Sequence, residues 1–432
     1  RQPMNPLPWW EPLQLAAALQ QRYGHRGWAW LDGEGSQRGR HAVRAAGPSE
    51  QVRCDGLPND PGASNPFAAL QQAFARGPGH WLGWLSYEAA AWIEPGEHWH
   101  RPAMAQLWAG HYEVVIELDL QQRPLQLRGE GPQRSELEQL LLQPQPSLES
   151  GDDVIPLTGW QWLTSNADYG RQVQQVREWI SAGDLFQANL TACAEQQLNG
   201  PVDPLALYRR LRRQCPAPFG GLLLANRDEG VLSTSPERFL QVSAHGLVET
   251  RPIKGTRPRH SDPSRDADAA AELVCSAKDR AENVMIVDLM RNDLGRVCRS
   301  GSIEVPQLVG LESYRQVHHL TSVVTGQLND PSDLAGLLRA CWPGGSITGA
   351  PKIRTCQQLN ALEPVARGPY CGSFFHRRPD GSFDSNSLIR SLLLKGSTVR
   401  VHGGCGIVAD SDPALETEEL GWKVQPLLRA LS

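Results

Sequence analysis

Phe239-Leu240-Gln241-Val242-Ser243-Ala244-His245-Gly246-Leu247-Val248-Glu249-Thr250 is the stretch on which the fold class turns. Two apolar runs flank a turn at His245-Gly246, so they read as neighbouring strands. A short turn can join only antiparallel strands, because parallel ones need a crossover of about a dozen residues or more. Outward from this pair, residues 221–224 and 230–233 read as two more short strands. Residues 79–88 read as a strand with close backbone approaches at its glycines, and 111–118 as another. Residues 321–327, 388–394 and 399–401 are strand-like as well. Helical spacing marks 135–142, 168–182, one long helix over 266–289 and a terminal helix over 413–431. Strands outnumber what a doubly wound parallel sheet needs. The predicted class is α+β, with antiparallel sheets covered by helices.

The composition narrows the function. Of 432 residues, 40% are apolar and 21% charged, the texture of a globular protein. A net charge of -5 provides no basic field for nucleic acid, and the arginines at 209–210 and 212–213 read as one solvated helix face. The nine cysteines are odd in number, scattered and free of any CxxC pair, which points to a reducing cytoplasm rather than disulfides or zinc. No apolar run approaches a membrane span, and no signal peptide is read at the N-terminus. The sequence opens on Arg1, which leaves room for a start methionine or a few leading residues before it.

Four groups of residues could carry chemistry. Asp279 and Glu282 stand three apart in the long helix, and Glu416 and Glu419 repeat that spacing in the terminal one. Two such pairs could hold one hard divalent cation, although Glu419 with Lys423 also has the spacing of an ordinary surface ion pair. Residues 343–352, Pro-Gly-Gly-Ser-Ile-Thr-Gly-Ala-Pro-Lys, precede a helix and could bind an anion or simply turn. Gly403-Gly404-Cys405-Gly406 reads as a second close-approach loop. Lys254, in Arg251-Pro252-Ile253-Lys254-Gly255-Thr256-Arg257, is either a surface turn or a nucleophile made neutral by burial and by Arg251 or Arg257. Glu237, in Ser235-Pro236-Glu237-Arg238, is either a general acid or a turn carboxylate paired with Arg238.

Read together, these segments resemble the chorismate-utilising enzymes, which include anthranilate synthase component I, aminodeoxychorismate synthase component I, isochorismate synthase and salicylate synthase. The likeness rests on residues 235–239, 252–257, 278–283, 285–294, 343–352 and 403–408. It covers at least 160–430. The segment 83–88 resembles the N-terminal part of the two amine-transferring members. The resemblance implies one large unit of two packed, mainly antiparallel sheets flanked by helices. An N-terminal region would occupy 1–150 and the chorismate-binding catalytic region 160–432. It implies a Mg²⁺ site at Glu282 and Glu419, with Asp279 and Glu416 beside them and Lys423 adjacent. It also places Arg390 and Tyr370 at the enolpyruvyl carboxylate and donors of Thr348, Gly349 and Gly404 at the substrate. His319 matches an active-site histidine and Glu237 the general acid at the C4 hydroxyl.

Two positions divide the family. Water-using members carry a lysine base where this chain has Gln187, and an amide cannot take that proton. Anthranilate synthases resemble Pro-Ile-Ala-Gly-Thr where this chain has Lys254, and lysine there marks the aminodeoxychorismate synthases. The implied reaction is amination of chorismate at C4, through a covalent lysine adduct at C2, toward 4-aminobenzoate and folate. No glutaminase motif is read, so ammonia is expected from a separate glutamine amidotransferase, and no nucleic acid or membrane partner is expected. The alternatives are 2-amination with pyruvate loss, as in anthranilate synthase component I, and a non-catalytic regulatory relative.

Overall fold

The hairpin forms as read. Arg238–Val242 pairs antiparallel with Leu247–Thr250, Gln241 opposite Glu249 and Val242 opposite Val248. Gly246 takes φ +85° in the turn, a backbone region that favours glycine. The computed structural model describes residues 6–148 and 157–432. The expected boundary between 150 and 160 falls partly on residues 149–156, outside those described.

Two large sheets organise the chain, and every strand pairing among the described residues is antiparallel. The first sheet begins at Gly349–Ala350, Gln187–Gln197 and Thr398–Ile407. It continues through Ser391–Lys395, Glu229–Ser233 and Gly221–Asn226 to Trp28–Leu31, His41–Ala45, Val114–Asp119 and Leu125–Gly129. The second begins at Ile253–Pro258 and Val317–Gln327, crosses the hairpin, and continues through Phe383–Asn386 and Ser373–Arg377. It ends with His80–Leu85, Leu107–Tyr112 and Glu50–Cys54. The N-terminal segment thus extends both sheets at the ends remote from Lys254.

Three readings of the sequence are corrected here. The strand read over 111–118 is two strands that belong to different sheets, Leu107–Tyr112 and Val114–Asp119, with Glu113 at the crossing. The helix read over 266–289 is two helices, Pro263–Cys275 and Ala277–Gly295. Ser276 separates them in extended conformation and its Oγ accepts the N–H of Asp279 at 3.2 Å, an N-cap that restarts the helix in a new direction. Gly403-Gly404-Cys405-Gly406 is no loop but the middle of the ten-residue strand Thr398–Ile407.

One core lies between the sheets around Trp84, Leu107, Leu223, Val231 and Phe374. A second fills the outer face of the first sheet beneath Pro12–Tyr23, Asn166–Ser181, Pro204–Gln214 and Pro413–Leu431. Trp10, Trp28, Trp30, Trp81, Trp84 and Trp108 are fully buried, and burying a large apolar side chain stabilises by roughly 1.5–3 kcal/mol. The basic helix face is not wholly solvated, since Arg212 Nε donates to the buried Asp32 at 2.7 Å. All nine cysteines are free thiols, and among the described residues no helix is long and apolar enough to cross a membrane.

Candidate active site

The glycines of the strand Thr398–Ile407 make the floor of the site. Gly406 lies opposite Asn189 and Gly404 opposite Thr191 on the paired strand. A Cβ on Gly406 would stand 3.2 Å from Lys254 Nζ, 3.2 Å from Gln187 Nε2 and 3.3 Å from Glu282 Oε2. An amine, an amide and a carboxylate from three separate elements therefore converge over one residue without a side chain. Gly349 is equally constrained, because a Cβ there would lie 2.1 Å from the carbonyl oxygen of Gln187.

Lys254 sits on the strand Ile253–Pro258 at the edge of the second sheet, facing the edge of the first. Asn283 fixes it, donating from Nδ2 to the carbonyls of Lys254 at 3.3 Å and Leu320 at 3.0 Å. Burial lowers the amine below the ordinary lysine range, opposed by Glu282 and Glu237 and assisted by Lys423. The positive neighbour is thus Lys423, not the arginines expected from the sequence. Arg251 Nη2 reaches Glu312 at 2.5 Å, and Arg257 reaches Glu272 at 3.0 Å and Asp279 at 3.2 Å.

Glu237 is buried and held on both oxygens. Oε1 accepts from Ser346 Oγ at 2.6 Å and Ser387 Oγ at 2.9 Å, and Oε2 from the N–H of Ile253 at 3.0 Å. Burial raises its pKa against these hydrogen bonds and the Lys254 charge, which favours a protonated carboxyl. Arg238, the alternative partner, pairs instead with Asp384 at 3.0 Å.

Carboxylates gather at the starts of two helices. Glu282 and Glu416 are buried, and Glu282 Oε1 and Glu416 Oε2 have no hydrogen-bond partner. Lys278 Nζ lies between them, 3.1 Å from Glu416 Oε1 and 4.0 Å from Glu282 Oε1. Burial together with acidic neighbours holds both above the usual carboxylate range. Glu419 stands within 4.8 Å of Glu416, and the expected i,i+4 contact with Lys423 forms at 2.9 Å. Two buried carboxylates with open oxygen valences, with Glu419 alongside, fit a hard divalent cation, even with Lys278 and Lys423 paired to Glu416 and Glu419. Asp279 pairs with Arg257 at 3.2 Å, and its charge still acts on Glu282. Cys405 is fully buried and its thiol, raised to about 11 by burial, donates to the carbonyl of Glu416 at 3.6 Å. Its role there is packing.

Arg390 holds a left-handed backbone at φ +50°, uncommon outside glycine and asparagine. Among the described residues its guanidinium has no hydrogen bond and no carboxylate at ion-pair distance, and burial lowers its pKa. A strained residue with an unpartnered cation is suited to an incoming anion. Tyr370 is buried and stacks on His402 with ring centroids 4.9 Å apart. His319 accepts or donates at Nδ1 to Thr256 Oγ1 at 2.9 Å, and burial, with Arg390 and His318 nearby, lowers it to about 3, so it is neutral at pH 7. The hydroxyl of Thr348 is spent on the carbonyl of Gly344 at 2.9 Å, which leaves it acceptor capacity only. The carbonyl of Gly404 accepts from Lys423 Nζ at 3.3 Å.

The family of chorismate binding enzymes matches residues 29–429. The chain belongs to that family. An aminodeoxychorismate synthase component 1 of Klebsiella aerogenes is 39% identical over 81% of this chain and 76% of its own length. One of Salmonella typhimurium is 43% identical over 63% of this chain and 60% of its own, so this chain spans less than two thirds of that relative's length. The crystal structure of anthranilate synthase component I from Streptococcus pneumoniae superposes with a TM-score of 0.78 at 25% identity, covering 90% of this chain and 92% of that one. The two-sheet fold is thus the family's.

Lys278, Asn283, Ser346 and Ser387 are functional neighbours to which the sequence reading gave no role. The first three lie inside the quoted motifs, where their types as donors were legible. Ser387 lies in none and only the fold brings it to Glu237.

Proposed function

We propose that the chain is the chorismate-converting component of an aminodeoxychorismate synthase, an enzyme that aminates chorismate at C4 in the formation of 4-aminobenzoate for folate. The observation that supports this most directly is Lys254 Nζ, placed over Gly406 between Gln187 and Glu282 and kept toward its neutral form by burial. Its lone pair adds at C2 of the ring. The ring double bond shifts as the C4–O bond breaks, and Glu237 gives the departing hydroxyl its proton, releasing water. Ammonia then adds at C4, the double bond shifts back, and the lysine leaves C2 with its electron pair. Gln187 cannot act as a base toward water, which suits amine over hydroxyl transfer.

Mg²⁺ suits the open oxygens of Glu282 and Glu416 with Glu419 beside them, and when bound it would neutralise the ring carboxylate of chorismate. Arg390 suits the enolpyruvyl carboxylate. The chain is read to take ammonia from a separate glutamine amidotransferase, and free thiols throughout suit a reducing cytoplasm.

The test is Lys254→Ala with chorismate, Mg²⁺ and ammonium, products separated by chromatography. The variant loses the 4-amino product by about a hundredfold or more and drifts toward a 2-amino one. A wild-type stalled reaction carries a covalent adduct on the Lys254 peptide, seen by mass spectrometry. Wild-type rates of 4-amino product from the variant would refute the covalent lysine and favour direct amination.

A further inference from the structure

Behind the site lies a buried polar knot to which the chemistry above gives no part. Arg367 is 1% exposed, and all of its donors are engaged. Nε and Nη2 form a fork on Glu363 at 2.7 and 2.9 Å. Nη2 also donates to the carbonyl of Asn189 at 2.8 Å, and Nη1 to that of Ile347 at 2.8 Å and to Cys371 Sγ at 3.4 Å. Glu363 accepts further from Thr191 Oγ1 at 2.7 Å. From the N-terminal segment, Glu88 receives the N–H of Arg367 at 2.6 Å and of Gly368 at 2.9 Å, and Tyr87 lies under the guanidinium at 4.6 Å.

The places where these bonds end give the knot its meaning. Asn189 stands two residues from Gln187 on the strand opposite Gly406. Ile347 precedes Thr348 and Gly349, and the N–H of Asn189 in turn donates to the carbonyl of Thr348 at 2.6 Å. Tyr370 follows Arg367 by three residues. We infer that Arg367, clamped by Glu363 and anchored through Glu88, is a positioning residue that fixes the spacing of the three segments seating chorismate. A guanidinium suits this because its donors are rigid and coplanar, so carbonyls bonded to opposite nitrogens keep a set separation. The assignment rests on the proposed chorismate reading of the site.

The experiment compares wild type with Arg367→Lys. Lysine keeps the charge facing Glu363 but cannot span the carbonyls of Asn189 and Ile347 together. Steady-state rates with chorismate and ammonium are read beside chorismate affinity by calorimetry without ammonium. The expected result is a KM and a Kd for chorismate raised about tenfold, with kcat within about threefold. A merely structural role would lower the folded fraction, reducing kcat at unchanged KM and Kd, and that result overturns the assignment. Glu88→Gln is the second variant should Arg367→Lys fail to fold, since it keeps an acceptor for one loop N–H and turns an amide donor toward the other. It is expected to raise KM about threefold, and an unchanged KM there also overturns the assignment. A wild type that binds chorismate yet yields a different product defeats the C4-amination reading alone, because the affinity comparison stands without it.

Discussion

Arg367 and Arg390 leave the same stretch of chain, the first fully buried and the second partly exposed, and they are opposites in their partners. Arg367 has every donor matched by a carboxylate, a carbonyl or a thiol. Arg390 has no anion among the described residues and holds a strained backbone as well. A buried charge by itself does not reveal a binding site, since saturated knots are buried too. What separates them is residual valence, which Glu282 Oε1 and Glu416 Oε2 also have, though so do atoms outside the site such as Arg44 Nε.

The largest expected effect breaks the pair apart through activity. Arg390→Gly removes the unpartnered cation and relieves the φ of +50°, so kcat/KM for chorismate falls on the order of a thousandfold while Tm holds or rises. A Tm fall as large as that of an Arg367 variant would show that Arg390 is structural after all. The converse effect is on stability. Arg367→Met leaves Glu363 as an uncompensated buried charge, and chemical denaturation is expected to show a loss of about 3–5 kcal/mol. A loss below about 1 kcal/mol would mean that water or a shifted loop takes over the bonds of Arg367.

The smallest effect sharpens the description of the knot itself. Burial lifts the Glu88 carboxyl from its ordinary value of 4.5 to about 8, against the two N–H bonds and the Arg367 charge that favour ionisation. The folded state therefore binds a proton more tightly than the unfolded one. The stability this brings is fully present below about pH 4.5 and is lost as pH rises toward about 8. Glu88→Gln should flatten that decline in a series of melts across the window. A wild-type curve that rises with pH there, and does so through Glu88, would mean that the two N–H bonds outweigh burial.

Local chemistry explains which parts were legible in the sequence. The hairpin at 238–250, the helix Asn166–Ser181 and the terminal helix Pro413–Leu431 follow from turn residues, spacing and caps, all written in neighbouring positions. The break at Ser276 was missed because helical spacing persists on both sides, and only the Ser276 cap on Asp279 reveals the new axis. The split at Glu113 was missed because both halves are equally apolar, and which sheet each joins depends on partners far away in sequence. The glycines at 403, 404 and 406 read as a loop because glycine signals turns locally. Gly406 is spared a side chain where Lys254, Gln187 and Glu282 meet above the strand, while Gly403 makes room for Val424 and Gly404 for Thr191. Of the candidate residues, Lys254, Glu282 and Gln187 come together over Gly406, Glu416 and Glu419 lie beside each other, and Asp279 is paired with Arg257.

The strand beneath the site also sets a timetable for synthesis. Gln187–Gln197 pairs along its length with Thr398–Ile407, residue 197 opposite residue 398. At roughly 5–20 residues per second on the ribosome, the first of these strands waits on the order of ten to forty seconds for the second. Through that interval it presents an unpaired edge to which any passing strand could add. A translational pause placed between residues 197 and 398 lengthens that exposure and should cost soluble yield more than the same pause placed before residue 187.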